Sequence, residues 1–158
     1  MGIPIRAGVV LGVLCVIWTF VMGFTGWYKD PVLLNLFFLV VLLEIGMVIW
    51  ALRKTAAAST WTGQLMNGLV LTLVASAIIF AGSLLFTTVA FPSYFSDLQS
   101  AQAEMLKAAG LPEAEIKTQV AAAAAMQTPV MNALSGVIGT VVTGVAVAAI
   151  AGAFWRKK

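Results

Sequence analysis

The chain contains no histidine and a single cysteine, Cys15. Histidine-based catalytic triads, Cys/His zinc clusters and histidine-ligated haem therefore cannot be built from this chain alone. A lone thiol also forms no internal disulfide, so Cys15 carries no information about the redox compartment. These absences exclude most enzyme mechanisms, and we expect no catalytic, metal or cofactor site.

Charged residues are also scarce. They make up only 9% of the 158 residues, whereas 61% are hydrophobic and the mean hydropathy is +1.03. An ordinary soluble domain is about 45–50% apolar, so the composition predicts a small integral membrane protein. The net charge of +3 comes mostly from residues that flank apolar segments, which favours membrane orientation over nucleic-acid binding.

Four apolar segments are each long enough to cross a bilayer. They cover about residues 7–26, 32–52, 65–91 and 129–155, and roughly 20 helical residues are needed to cross about 30 Å of hydrocarbon. The sequence therefore predicts an all-α integral membrane protein with four transmembrane helices, in one domain over residues 1–158.

Basic residues are unevenly distributed between the two ends of these spans. One end carries Arg6, Arg53, Lys54, Arg156, Lys157 and Lys158, and the other carries Lys29, Lys107 and Lys117. Because cytoplasmic ends of membrane helices are enriched in lysine and arginine, this pattern predicts that both termini are cytoplasmic.

The segment 92–128, between the third and fourth spans, predicts an extracytoplasmic helical hairpin. Ser96 and Gln99 form a capping-box pattern, and Gly110 is a typical helix stop. Pro112 then begins a second helix with acidic residues in its first turn. We expect the hairpin either to cover apolar surface of the third and fourth spans or to provide a docking surface for a partner.

Small residues predict where the helices approach each other. The fourth span carries one every four residues: Gly136, Thr140, Gly144, Ala148 and Gly152. Shorter counterparts are Gly8 and Gly12 in the first span, at a depth similar to Gly144 and Gly152, and Gly68, Thr72 and Ser76 in the third. This stripe can serve packing within the bundle or self-association of two copies.

One carboxylate, Glu44, lies in the middle of the second span, in the stretch VVLLEIGMVIW. An acidic side chain at the centre of a bilayer costs about 2.5–3.5 kcal/mol, so Glu44 should be neutral, paired or turned inward. Thr72, Ser76, Thr143 and Trp18 lie at a similar depth on the other spans. We therefore predict an intramembrane polar site made of Glu44, Thr72, Ser76 and Trp18.

Three interpretations of Glu44 are open. As a neutral carboxyl, it can hydrogen-bond a hydroxyl or the Trp18 indole and hold helices together. As a proton or cation site, it is similar to the lone membrane glutamate of small multidrug-resistance transporters, although theirs lies in the first of four helices. It can also contact a helix of another subunit.

Several short motifs resemble one family along nearly the whole chain. They are the basic connection LRKTAAASTWTGQLMNG, the end of the third span in FPSYF, and AAGLPEAEI before a TP entry to the last span. Together they resemble the bacterial family called domain of unknown function 4199. The resemblance implies a helical protein of the bacterial inner membrane and supplies no catalytic residue.

Three function classes follow. The favoured one is a non-enzymatic accessory subunit, in which partners cover the apolar face of the second helix. The alternative is a small proton- or cation-coupled transporter that uses Glu44, with a polar cavity reaching Glu44, Thr72 and Ser76. An enzyme is least expected, because the carboxylates of the outer segment fit a solvated helix face. The expected partners are the lipid bilayer and other membrane subunits, without nucleic acid.

Overall fold

The computed structural model describes residues 2–30 and 32–157, and within these ranges the chain is helical without strands. The described residues form six α-helices: α1 (Ile3–Thr25), α2 (Leu39–Thr55), α3 (Trp61–Leu85), α4 (Tyr94–Ala108), α5 (Glu113–Met126) and α6 (Pro129–Phe154). A 3₁₀ segment, Leu33–Phe38, leads into α2, and a π turn, Phe86–Ala90, extends α3.

Four helical segments are long and apolar enough to cross a membrane. They are Ile3–Thr25, Leu33–Thr55, Trp61–Ala90 and Pro129–Phe154, with 23, 23, 30 and 26 residues. The third begins earlier than the apolar run in the sequence, because the Thr60 hydroxyl caps its first turn by accepting from the Gly63 N–H at 3.3 Å. The protein is therefore an all-helical, multi-pass membrane protein whose apolar helices contact lipid.

Helix α3 lies between α1 and α6 and contacts both along much of its length. Helix α1 runs parallel to α3, with Gly8 next to Val74 and Gly12 next to Ala75. A Cβ atom added at Gly12 would lie 2.8 Å from Cβ of Ile78, so only glycine allows this approach. Gly8 and Gly12, which the sequence placed at a depth similar to Gly144 and Gly152 without naming a partner helix, therefore pack against α3.

The small-residue stripe of α6 packs against α3 in the antiparallel direction. Three pairs at four-residue steps define the register: Gln64 with Gly152, Gly68 with Ala148, and Thr72 with Gly144. The packing of the stripe is looser toward the start of α6. A Cβ at Gly136 would meet only Ile79, at 3.5 Å, and Thr140 is half-buried. The stripe thus serves a contact within one chain in this structure.

A buried glutamine ties three helices together at one end of the bundle. The Gln64 amide donates to the carbonyl oxygens of Leu52, at 2.8 Å, and Trp155, and its oxygen accepts from the Thr55 hydroxyl at 2.7 Å. The Lys157 N–H donates to the Ser59 carbonyl at 2.8 Å. We call this the termini end, because α1 begins and α6 ends there.

Helices α4 and α5 form the predicted hairpin at the opposite end, which we call the hairpin end. The capping box at Ser96 is wrong: α4 begins two residues earlier, at Tyr94, and the Ser96 hydroxyl donates to the Ser93 carbonyl at 2.8 Å. Gly110 ends the helix as the sequence indicates, with φ +81° and its N–H donating to the Lys107 carbonyl.

An aromatic cluster joins the hairpin to the bundle. Its members come from α1, from the segments that follow α1 and α3, and from the first turn of α4: Phe20, Phe24, Tyr28, Phe86, Phe91, Tyr94 and Phe95. Beside the cluster, Asp97 of α4 accepts from the Tyr28 hydroxyl at 2.7 Å and pairs with Lys29 at 3.0 Å. These two bonds lower the pKa of Asp97, whereas burial, followed by the bond to Asp97, raises that of Tyr28.

Candidate functional site

A cavity of about 380 Å³ lies among α1, α2, α3 and α6 in the hairpin half of the bundle. Ligand pockets in proteins typically measure about 300–1,000 Å³, so this space suffices for a small organic molecule. Its walls are mainly apolar, with Val40 and Val41 from α2 and Ile79 from α3. A few polar side chains interrupt this lining, and Glu44 is one of them.

Glu44 reaches the cavity because it lies on the one buried face of α2. Glu44, Val48, Ala51 and Leu52 recur at helical spacing and are all buried, whereas Leu42 and Leu43 on the opposite face are exposed. The Glu44 side chain is only 5% exposed, and its Oε1 has no hydrogen-bond partner among the described residues. Glu44 thus belongs to the cavity lining, and its unpaired Oε1 is packed beside Gly144.

Gly144 of α6 makes room for this carboxyl. A Cβ added at Gly144 would lie 3.1 Å from Glu44 Oε1 and would overlap the Thr72 side chain. The carboxyl of α2 and the threonine of α3 therefore reach α6 at the same residue, where α6 has no side chain.

The predicted partners of Glu44 are engaged elsewhere. The Thr72 hydroxyl donates to the carbonyls of Gly68 and Leu69 in its own helix, both at 3.1 Å. The Trp18 indole N–H donates to the Leu36 carbonyl at 3.0 Å. The hydrogen bond to Glu44 that one of our three interpretations expects is therefore not made by these two groups, because nearby backbone carbonyls accept their hydrogens.

Ser76 is buried, and its hydroxyl has no hydrogen-bond partner within the described ranges. The residues that line the cavity include Glu44 but not Thr72, Ser76 or Trp18. Of the four residues predicted to form one polar site, the structure thus places only Glu44 on the cavity.

Helix α6 supplies four polar side chains of the lining along one face, which the sequence analysis did not recognise as a polar face. Its members recur at i, i+3, i+4, i+7, i+8 and i+11: Asn132, Ser135, Gly136, Gly139, Thr140 and Thr143. This helical spacing was readable in the sequence. Toward the hairpin, the Asn132 amide donates to the Ser83 hydroxyl of α3 at 3.0 Å.

Aromatic rings form the hairpin-end wall of the cavity. Phe37 precedes α2, Phe86 follows α3, and Tyr94 is the first residue of α4. Burial, followed by the neighbouring Tyr28, raises the pKa of Tyr94 to about 12, so its phenol is neutral at physiological pH. The hairpin therefore contributes an uncharged aromatic residue to the cavity.

Positive charge is missing from the lining, since no lysine or arginine occurs among the described residues that form it. Besides Glu44, its titratable residues are Cys15 and Tyr94. In the described part of the chain, no group of three or more His, Cys, Asp or Glu side chains is placed to hold a metal ion. The site consequently offers one acid, several hydroxyl groups and apolar walls.

Comparisons with curated proteins and with solved structures find no match. The family described as Protein of unknown function (DUF4199) matches residues 6–157, which include the hairpin and almost all of the four candidate spans. This match confirms the resemblance seen in the short motifs of the sequence. The chain therefore belongs to the DUF4199 family.

Proposed function

We propose that this protein is a small, non-enzymatic membrane carrier that couples a solute to protons or cations through Glu44. The observation that supports it is that Glu44, a buried acid whose Oε1 has no hydrogen-bond partner among the described residues, belongs to the lining of a cavity of about 380 Å³. A carboxyl that only joins helices would have its oxygens paired with groups of the protein.

The position of Glu44 favours reversible occupation. Ionisable residues inside membranes face the bundle interior or a cavity and commonly mark ion and proton pathways. Glu44 satisfies this description, being 5% exposed and in contact with the cavity rather than with lipid. A proton or a bound cation neutralises the carboxylate, so exchange of one for the other couples their movements.

The proposed location is the bacterial inner membrane, with the termini end in the cytoplasm. Arg6, Arg53, Lys54 and Arg156 all lie toward the termini end, and cytoplasmic ends are enriched in basic residues. The hairpin and its aromatic cluster then lie on the outer side.

An accessory role in a larger membrane assembly is the second candidate, and the lipid-facing side of α2 favours it. Leu42, Leu43 and Trp50 are 64%, 41% and 48% exposed, and they line a shallow groove against α1 that a partner helix could cover. Gentle detergent extraction followed by mass spectrometry tests this role. Recovery of the chain alone would count against it.

Proton movement in proteoliposomes tests the carrier. Vesicles with a trapped pH-sensitive dye receive a pulse of Na⁺, K⁺ or benzyltrimethylammonium, and the internal pH is followed. We expect a pH change with the unmodified protein and with Glu104→Gln, because Glu104 is an exposed residue of α4, and no change with Glu44→Gln. Equal pH changes with Glu44→Gln, or none with the unmodified protein for all three cations, would contradict the carrier.

A further inference from the structure

We propose that the cavity binds a hydrophobic organic monocation, with its positive group at Glu44 and its apolar part toward Phe37, Phe86 and Tyr94. The inference rests on the proposed function, because it assigns a solute class to the same cavity. It follows from the charge, the distribution of oxygen atoms and the shape of the lining.

The charge of the site favours one positive charge. Glu44 is the only acidic residue among the described residues of the lining, and Cys15 and Tyr94, the other titratable ones, supply no positive charge. An anionic solute would be repelled by the carboxylate and would find no basic partner. A dication would leave one charge unpaired in a low-dielectric interior, which is costly.

The oxygen atoms are too dispersed for a bare metal ion. Ca²⁺ and Mg²⁺ require six or more oxygen ligands around one point. The polar residues of α6 extend from Asn132 to Thr143, a distance of about 16 Å at 1.5 Å per residue. They can therefore contact different parts of a longer molecule but cannot surround one ion.

The shape of the cavity suits an apolar body attached to the charged group. Glu44 lies toward the termini end of the lining and Tyr94 toward the hairpin end, with Val40, Val41 and Ile79 between them. A volume of about 380 Å³ holds on the order of ten non-hydrogen atoms, since one liquid water occupies about 30 Å³. Aromatic rings favour both apolar and cationic groups.

Binding can proceed as an exchange without net charge. When Glu44 is neutral, its O–H bond breaks, the proton leaves to water, and the carboxylate pairs with the incoming monocation. The cavity is neutral before and after this step, so no unpaired charge is buried.

Calorimetric titration in detergent tests the solute class with two ligands of the same shape. Benzyltrimethylammonium carries one positive charge, and 2,2-dimethylpropylbenzene is its neutral isostere. We expect the cation to bind, with up to one proton released per ligand when two buffers are compared, and Glu44→Gln to weaken it at least about tenfold. Tighter or equal binding of the neutral isostere, or unchanged binding of the cation to Glu44→Gln, would overturn the inference.

A second pair of variants tests the location without altering Glu44. Gly139 lines the cavity and Gly46 lines the groove between α1 and α2, and a Cβ added at either glycine meets no atom within 4 Å. We expect Gly139→Leu to weaken the binding of benzyltrimethylammonium at least about tenfold and to leave the binding of tetramethylammonium unchanged. Gly46→Leu should change the binding of neither cation. Equal affinities in the two variants would refute binding in this cavity.

The two proposals fail in distinguishable ways. Cation-driven pH changes that require Glu44, without binding of benzyltrimethylammonium, would keep the carrier and remove the hydrophobic solute. Binding that requires Glu44 and Gly139, without any pH change in vesicles, would keep the solute class and remove the coupling.

Discussion

The close approach of α1 to α3 makes Gly12 a sensitive position for stability. A Cβ added there would lie 2.8 Å from Cβ of Ile78, 3.0 Å from the carbonyl oxygen of Ala75 and 3.2 Å from its Cα. Two of these three atoms belong to the backbone of α3, which cannot rotate away as a flexible side chain can. Gly12→Ala therefore forces the two helices apart.

The size of the effect follows from these distances. Carbon atoms pack best at about 3.5–4.0 Å, so α1 has to move by at least about 0.7 Å from the 2.8 Å contact. Inserting a methyl group into a packed interior typically costs about 1–3 kcal/mol. The helix-propensity gain of about 0.8–1.0 kcal/mol for replacing glycine by alanine opposes this cost.

The matched variant Gly46→Ala isolates the packing cost. Gly46 lies inside α2, and an added Cβ there has no atom within 4 Å. Because both variants gain the same helix propensity, the difference between their free energies of unfolding should equal the packing cost, about 1–3 kcal/mol. Reversible unfolding by SDS in mixed micelles measures this difference. Equal stabilities of Gly12→Ala and Gly46→Ala would refute the close helix contact.

Two further predictions concern polar contacts at the ends of the bundle. Gln64→Leu should lower the free energy of unfolding by about 1–3 kcal/mol, because it leaves buried carbonyls unpaired. Gln119→Leu, at an exposed position of α5, should have little effect in the same SDS titration. Equal losses of stability in the two variants would contradict a stabilising role of the Gln64 hydrogen bonds. Tyr28→Phe should speed hydrogen exchange in α4 about fivefold, since one hydrogen bond contributes about 1 kcal/mol. The pKa of Asp97 is lowered in the folded protein. Its carboxylate therefore stabilises the folded state at pH values above the ordinary pKa, and this stabilisation is lost as the pH falls through the lowered pKa. Hydrogen exchange in α4, corrected for its intrinsic rate, should therefore become faster in acid for the unmodified protein. If Tyr28→Phe and Asp97→Asn show the same acceleration in acid as the unmodified protein, this prediction is contradicted.

The spans could be predicted from the sequence because hydropathy is a local property. Long apolar runs need no knowledge of their neighbours to be recognised, and residues 33–55 and 129–154 lie close to the predicted ranges. The start of α3 at Trp61 was harder to predict from hydropathy, because it depends on the cap made by the Thr60 hydroxyl. The start of α4 at Tyr94 was missed because Tyr94 packs into the aromatic cluster, a contact distant in sequence.

The lateral order of the helices could not be read in the same way. Apolar residues surround each span almost evenly, since one side faces lipid and the other faces apolar neighbours. Small residues show that a face makes a close contact but do not identify the partner. Gly8 and Gly12 therefore gave no sign that α1 packs along α3 rather than α6.

The candidate site shows the difference between depth and orientation. Counting residues along a helix placed Glu44, Thr72 and Trp18 at similar depths, but depth does not specify the rotation of each helix about its own axis. Rotation directs the Thr72 methyl group toward Gly144, while its hydroxyl bonds to its own helix. The polar spacing on α6 contained the missing information, because it marks one face of one helix.

The contact between α3 and α6 loosens toward the hairpin end, beside the cavity. At the termini end, a Cβ at Gly152 would lie 2.9 Å from Gln64, and one at Gly144 would overlap Thr72. Toward the hairpin, a Cβ at Gly136 would make only an ordinary contact, and one at Gly139 would meet no atom within 4 Å. The two helices are thus in tight contact at Gly144 and Gly152 and in ordinary contact at Gly136, and the hydrogen bond from Asn132 to Ser83 still joins them at the hairpin end. A bulky substitution at Gly144 would displace Thr72 and Glu44 and should alter stability and cavity together, whereas one at Gly139, where an added Cβ meets no atom within 4 Å, should alter the cavity alone.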